Sequence, residues 1–266
     1  MNSSFLKWAG GKKWFVSNYA NLFPKEYNRY IEPFLGGGIV YFYLEPKKAI
    51  LNDINSELII TYKVIKNNPL ELLTLLKKME MKHCKEYYYK IREEKPNAEI
   101  KIAARMIYLN HTCFNGIYRV NPKGEFNVPI GTFHHVVRDN DNYEARANIL
   151  KHAILTNYDF EKTIDKAVEE DFLFCDPPYA IKKGNVFVSY NKVEFTFDDQ
   201  IRLANAIERA RKRNVKIIMT NVNHKSIKDL YDKKKYKLIE TKRNCTISGK
   251  NKGRNEYKEL IILANI

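Results

Sequence analysis

The stretch Phe172-Leu173-Phe174-Cys175-Asp176-Pro177-Pro178-Tyr179 constrains this chain more than any other. Its first four residues form a continuous apolar run, the pattern of a strand buried on both faces of a parallel sheet. The run then meets an acid and two prolines. Pro177 and Pro178 have no N–H and cannot extend a ladder, so the chain must leave the sheet there. Asp176 and Tyr179 are thereby placed at the carboxyl end of a buried strand, where open α/β sheets bind their ligands. The acid accepts hydrogen bonds from an amino group. The Pro177 carbonyl has no competing strand partner, and Tyr179 offers a flat face. Together they describe a pocket for a planar heterocycle with an exocyclic amine. An ordinary strand exit, with Asp176 as a turn former and Tyr179 as packing, accounts for the same residues without a ligand.

Two glycine clusters precede this stretch. In Phe5-Leu6-Lys7-Trp8-Ala9-Gly10-Gly11-Lys12, a tight turn between Trp8 and Lys12 exposes backbone N–H groups beside a cation, which suits a carboxylate or phosphate. It also suits a plain N-terminal turn, and it lacks the length of a GxxxxGK[ST] loop. In Tyr30-Ile31-Glu32-Pro33-Phe34-Leu35-Gly36-Gly37-Gly38, residues 28–31 read as a strand and the glycines as a sharp turn into a helix near Ile39. A second short strand, 49–53, ends at Asp53, which lies 17 residues after Gly36. An acid about 20 residues after a Gly-rich turn is spaced to grip ribose hydroxyls in a nucleotide-binding βαβ unit. Capping of the following helix by Asn52 or Asp53 is the plainer role.

Between residues 57 and 155 the sheet pattern lapses. Residues 56–81 read as two helices interrupted near Pro69, residues 84–93 carry Tyr87-Tyr88-Tyr89, residues 98–109 have helical periodicity, and strands resume at Asp171. A helical insert within an α/β fold explains this, with 1–56 and 157–266 as one domain and 57–156 as another. Within the insert, residues 116–120 and 125–128 read as arms of a β-hairpin turning at 121–124. A basic hairpin with an aromatic beside it can enter a DNA groove, with Arg reading guanine and Asn reading adenine or the backbone. Without a nucleic-acid partner it is simply a structural hairpin.

Downstream, residues 180–191 read as a mobile loop over the pocket. A helix over 200–212 is expected, capped by Asp198, with Ile201, Ala204, Ile207 and Ala210 as its buried stripe. Residues 215–220 read as a buried strand ending at Asn221. Residues 225–258 hold 12 Lys or Arg against four acids. Lys250, Lys252 and Arg254 fall in a Gly-containing loop between two strands, suited to gripping phosphate or to plain solvation.

The whole chain of 266 residues has 46 Lys and Arg against 31 Asp and Glu, a formal net charge of +15. That surplus favours a polyanionic partner, nucleic acid before membrane, although biased composition alone also produces it. Cysteines 84, 113, 175 and 245 show no CxxC spacing, which points to reduced thiols and no metal site. No apolar signal core and no membrane-spanning run is present, so a cytoplasmic location is expected.

The Asp-Pro-Pro-Tyr stretch resembles the motif of amino-methyltransferases that use S-adenosylmethionine, [DNS]-PP-[YFW]. With the segments Lys7–Lys12, Phe34–Gly38 and Leu109–Pro129, nearly the whole chain is similar to Dam-type DNA adenine-N6 methyltransferases of the alpha group. The resemblance implies a Rossmann-like mixed sheet with an inserted, mainly helical DNA-recognition domain carrying a hairpin. It implies S-adenosylmethionine bound by Trp8, Lys12, Phe34, Gly36, Gly38, Asp53 and Asp176, with S-adenosylhomocysteine as product and no metal. Asp176, Pro177 and Tyr179 would carry the chemistry, and Phe or Trp would be tolerated in place of Tyr179. Double-stranded DNA would be met by Phe114, Asn115, Arg119, Asn121, Lys250, Lys252 and Arg254, most simply within GATC. His111 departs from the family's frequent Arg. No obligate protein partner is implied, and a cognate restriction endonuclease acting separately is one arrangement. Cytosine N4, RNA adenine or a glutamine amide as acceptor, and a DNA-binding protein that kept only the fold, are the competing readings. Asp rather than Ser or Asn at position 176 argues against the former group, and Trp8, Lys12, Asp53 and Asp176 all being in place argues against the last.

Overall fold

The computed structural model describes residues 4–116, 118–121, 124–132, 135–138, 141–183, 186–189, 195–244 and 256–266. The described strands are β1 (Tyr30–Glu32), β2 (Ala49–Asn52), β3 (Ala153–Thr156), β4 (Phe172–Cys175), β5 (Ala180–Lys183), β6 (Val186–Ser189), β7 (Lys216–Val222), β8 (Lys237–Asn244) and β9 (Glu256–Ala264). Seven of them make a mixed sheet, and β5 pairs with β6 apart from it. The chain forms two compact units, Met1–Asn18 with Leu35–Asn157, and Tyr19–Phe34 with Tyr158–Ile266.

In the first unit β2 and β3 run parallel, from Ala49 opposite Ala153 to Asn52 opposite Thr156. Sequence periodicity did not anticipate β3. It repeats the Ala-Ile-Leu of β2, but Ile154 is 63 % exposed and no acid follows its last residue as Asp53 follows β2. Besides Lys85–Glu93 and Tyr143–Leu150, which periodicity did not announce, helices Ser56–Asn67, Pro69–Met81 and Glu99–Thr112 follow the expected periodicity. Pro69 opens the second of them, where its missing N–H costs nothing. The first is capped by Asn55, whose Oδ1 accepts from the Leu58 N–H at 3.1 Å, and not by Asn52 or Asp53. Helix Glu99–Thr112 is buried continuously from Ala103 to Thr112 and forms the core that the other helices cover. Residues 113–130 form two isolated antiparallel bridges, Cys113 with Ile130 and Val120 with Phe126.

In the second unit the strands run in the order β1-β4-β7-β9-β8. β4 lies parallel to both β1 and β7, and β9 is antiparallel to both β7 and β8. All four residues of β4 are buried, as a strand flanked on both sides requires. Helix Phe197–Lys212 starts earlier than its periodicity suggested. Its cap is Thr196, in a reciprocal box with Asp199, and not Asp198. Leu203, Ala204, Ile207 and Ala210 are buried on it, whereas Ile201 is 39 % exposed. The stretch expected to be a loop after Tyr179 instead pairs as β5 and β6, with Ala180 opposite Ser189.

Among the described residues no helix is long and apolar enough to cross a membrane, and no group of metal-ligating side chains is assembled. Cys84 and Cys175 are free thiols.

Candidate active site

The first unit brings the two glycine clusters together. Gly36 has φ +48°, and a Cβ there would come within 2.7 Å of Trp8 Cδ1, so the glycine lets the turn lie directly on the indole. The backbone of this turn is held from two sides. The Gly36 N–H donates to Asp53 Oδ2 at 2.9 Å, and the Tyr62 hydroxyl donates to the Gly36 carbonyl at 3.0 Å. Asp53 Oδ1 accepts from the Asn55 N–H at 2.9 Å. Burial pushes the Asp53 carboxyl pKa up, against the lowering by the Asn55, Gly36 and Ile54 N–H groups. Gly38 precedes the short helix Ile39–Leu44 in a left-handed conformation. Lys12 is buried, with Nζ donating to the Gly10 carbonyl at 2.7 Å. Trp8, Lys12, Gly36, Gly38 and Asp53 are thus all carried by this unit.

The same unit carries Phe114, Asn115, Arg119 and Asn121. Phe114 is 54 % exposed, and Asn115 is turned to φ +57° beside it, so an aromatic side chain stands in solvent at a strained turn. Arg119 Nε donates to Asn127 Oδ1 at 2.9 Å, and Asn121 Nδ2 to Glu125 Oε2 at 3.1 Å. Asn110 ties this segment to the first one: its Oδ1 accepts from the Lys7 N–H at 2.9 Å, and its Nδ2 donates to the Lys7 and Gly116 carbonyls at 2.8 and 3.3 Å. Tyr118, which sequence reasoning passed over, stacks on Trp8 with centroids 5.7 Å apart and donates to Glu57 Oε2 at 2.7 Å. A lone Tyr beside an Arg carries no signal that would have singled it out. His111 is buried, its ring nitrogens 2.7 and 2.6 Å from the Val136 and Phe5 carbonyls, so it braces this unit's interior rather than facing a phosphate.

The second unit carries Phe34, Asp176, Pro177 and Tyr179. Phe34 stacks on Phe160 at 5.4 Å and meets the edge of Phe195 at 5.9 Å. The Thr220 hydroxyl, on β7, donates to Asp176 Oδ1 at 2.9 Å. Gln200 Nε2 donates to the Pro178 carbonyl at 3.0 Å while its Oε1 accepts from Asn221 Nδ2 at 3.0 Å. The Tyr179 hydroxyl donates to Glu259 Oε2. Pro177 is buried, and Asp176 and Tyr179 are partly exposed. The motif is therefore anchored from β7, β9 and helix Phe197–Lys212. Thr220, Gln200, Asn221 and Glu259 were not foreseen. The available signal was polarity at the end of the apolar strand 215–220. Chemically, the chain leaving this end of β4 presents an anchored carboxylate and, three residues on, an anchored aromatic ring, one able to accept hydrogen bonds and the other to stack. Lys250, Lys252 and Arg254 lie outside the described residues.

Residues 8–247 match the family model of the D12 class N6 adenine-specific DNA methyltransferases. A type II methyltransferase of Methanocaldococcus jannaschii, M.MjaIII, is 38 % identical over 97 % of this chain and 98 % of its own length. M1.LlaDCHI of Lactococcus lactis subsp. cremoris, also a type II methyltransferase, is 34 % identical over 97 % and 94 %. The DNA adenine methylase of Haemophilus influenzae is 33 % identical over 97 % and 92 %. The motifs at both glycine clusters and at Asp176 fall inside the matched span, and this chain belongs to the D12 class of N6 adenine-specific DNA methyltransferases.

Proposed function

We propose that this enzyme transfers a methyl group from S-adenosylmethionine to the N6 amine of an adenine flipped out of double-stranded DNA, within GATC. One observation carries the reading: the Asp176 carboxylate leaves buried β4 beside two prolines and is held by Thr220, and Tyr179, three residues on, is held by Glu259. The residues of the first unit fit the methyl donor. A backbone cradle that only glycine permits lies on the Trp8 indole, with a carboxylate at Asp53 for hydroxyl groups and a cation at Lys12 for a carboxylate. When bound, the donor supplies an electrophilic methyl group on a sulfonium.

The chain's own task is to make a poor nucleophile react. The lone pair of the adenine amine is delocalised into the ring, and in a duplex the base is stacked and paired, so it must be extruded at a cost of a few kcal/mol. On Tyr179, its two N–H bonds would meet the Asp176 carboxylate and the Pro177 carbonyl. Two acceptors favour a pyramidal nitrogen and stabilise the positive charge that develops on it, an effect largest in the transition state. Asp176 acts as an electrostatic acceptor, not as a base that removes a proton before attack.

Residues 57–156 would serve as the recognition domain, inserted in a catalytic domain of 1–56 and 157–266. Exposed Phe114 fits a wedge that fills the gap left by the base, and Arg119 a reader of guanine. GATC rests on the likeness of the 109–129 segment to the Dam-type segment. Two relatives bear type II methyltransferase names, which supports a separately acting restriction endonuclease as the protein to seek beside this one.

The test uses tritiated S-adenosylmethionine, unmethylated duplex DNA and sequencing of the modified base. Label at adenine N6 within GATC is expected, and Asp176→Ala should cut single-turnover transfer by about 10²-fold or more while the protein stays folded. Asp176→Asn, which keeps an acceptor oxygen but loses the charge, should retain part of the rate. Near wild-type transfer by Asp176→Ala would remove this pocket from the reaction, and label in another sequence would overturn GATC alone.

A further inference from the structure

Of the residues that anchor the Asp-Pro-Pro-Tyr stretch, Glu259 stands apart because it is an acid in a buried strand. Its side chain is 1 % exposed. β9 is paired on both sides, with Glu259 opposite Val222 of β7 and Thr241 of β8, so the backbone that presents the carboxylate is locked. Burying a carboxylate is unfavourable unless it is hydrogen-bonded, which makes its bond to the Tyr179 hydroxyl a structural commitment. Thr220, which holds Asp176, is opposite Ile261, two residues further along the same strand. The acceptor carboxylate and the stacking ring are thus referenced to one strand pair.

Resting on the function proposed above, we infer that Glu259 is a positioning residue for methyl transfer. It fixes the position of the Tyr179 ring so that a captured base lies with its amine at Asp176. The hydroxyl lies on the axis of the ring's second torsion, so a hydrogen bond there fixes where the ring points and restrains its turn about that axis only through the preference of the O–H for the ring plane. Without it the ring still offers an apolar face, but the base it carries is no longer held in register with the acceptors. Misplacement of reacting groups by about 1 Å costs about 10²-fold in rate. The hydroxyl of Tyr179 therefore has a role of its own in this chain, and Phe at this position, tolerated as a stacking ring, is expected to slow transfer.

The experiment compares wild type, Tyr179→Phe, Glu259→Ala, Glu259→Gln and the double variant Tyr179→Phe/Glu259→Ala. Single-turnover transfer, S-adenosylmethionine affinity by calorimetry, thermal midpoint, and fluorescence of duplex DNA with 2-aminopurine at the target position are read for each. Tyr179→Phe and Glu259→Ala should each slow transfer by about 10- to 100-fold with donor affinity unchanged. The double variant should be no slower than the worse single one, and Glu259→Gln, which keeps an acceptor oxygen, should recover to within a few-fold of wild type. Base capture should persist in Tyr179→Phe, so the loss falls on the chemical step rather than on DNA binding. Wild-type transfer by Tyr179→Phe overturns the proposal even if Glu259→Ala fails to fold, and so does a double variant slowed by the product of the two single effects. Absence of adenine methylation by the wild type itself would overturn the function, and this role with it.

Discussion

Asp53 shows how one side chain serves both loop and ligand. Its carboxylate oxygens accept backbone N–H groups from Gly36 and Asn55, with the Ile54 N–H as a third, out of about four acceptor positions in all. Asp53→Ala should therefore weaken S-adenosylmethionine binding by about 1–3 kcal/mol, the scale of losing hydrogen bonds from a buried partner. Part of that loss comes from the freed Gly36 turn, so Asp53→Asn, which retains one acceptor oxygen, should lose less. Titration calorimetry decides it, and unchanged affinity in Asp53→Ala would remove the residue from the donor site. The spacing of Asp53 from Gly36 was legible in the chain, because strand and helix lengths fix where the next strand ends. Its bond to Gly36 was not legible, because spacing does not say which lone pairs the fold itself uses. Tyr118 and Glu259 escaped for a related reason: each matters through a partner more than 60 residues away or from another strand, which local pattern cannot register.

At the scale of elements, helix Phe197–Lys212 is instructive. Its apolar period was readable and its ends were not, since Thr196, Asp198 and Asp199 are all competent caps and only geometry selects Thr196. β3 was missed because no acid follows its last residue directly, as Asp53 and Asp176 follow β2 and β4, and β5 with β6 was mistaken for a loop because Lys182, Lys183 and Gly184 break up the apolar residues there. The helix's last turn holds a charge cluster open to test. Glu208 accepts from Arg211 Nε at 2.8 Å and from the Tyr236 hydroxyl at 2.7 Å, with Lys235 Nζ 3.8 Å away. The Arg211 hydrogen bonds foremost, then Tyr236 and the nearby charges, pull its pKa down to about 2. A carboxyl with a depressed folded pKa lends stability that is complete above its ordinary value and disappears as pH falls through the folded one. The side chain is partly exposed, and solvent screening keeps the contribution small. Glu208→Gln should lower unfolding free energy at neutral pH by less than about 1 kcal/mol, and the difference should close as pH falls from about 4.5 towards 2. Urea titrations of both proteins across that window check it, and a gap that persists at the acidic end would assign the loss to packing instead.

For the molecule as a whole the governing quantity is the formal charge of +15. An enzyme that modifies DNA must displace counterions condensed on the duplex, and each phosphate neutralised makes binding steeper in salt. Unlike base reading, this term is indifferent to sequence, so it separates from the contribution expected of Arg119. If about six phosphates are neutralised, affinity should fall by about 10³-fold between about 50 and about 200 mM salt. Lys250, Lys252 and Arg254 are expected to supply a sequence-independent share. The triple change to Ala should weaken GATC-containing and scrambled duplexes by the same factor and make the slope of log K against log salt shallower by up to about 3. Arg119→Ala should behave in the opposite way, leaving the slope within about one contact of wild type while narrowing the gap between the two duplexes by about 1–3 kcal/mol. Fluorescence anisotropy with both duplexes over a salt series gives both quantities from one data set. A flat salt dependence would show that the surplus charge serves something other than DNA. A steep dependence left unchanged by the triple variant would place the phosphate contacts elsewhere among the 46 basic residues.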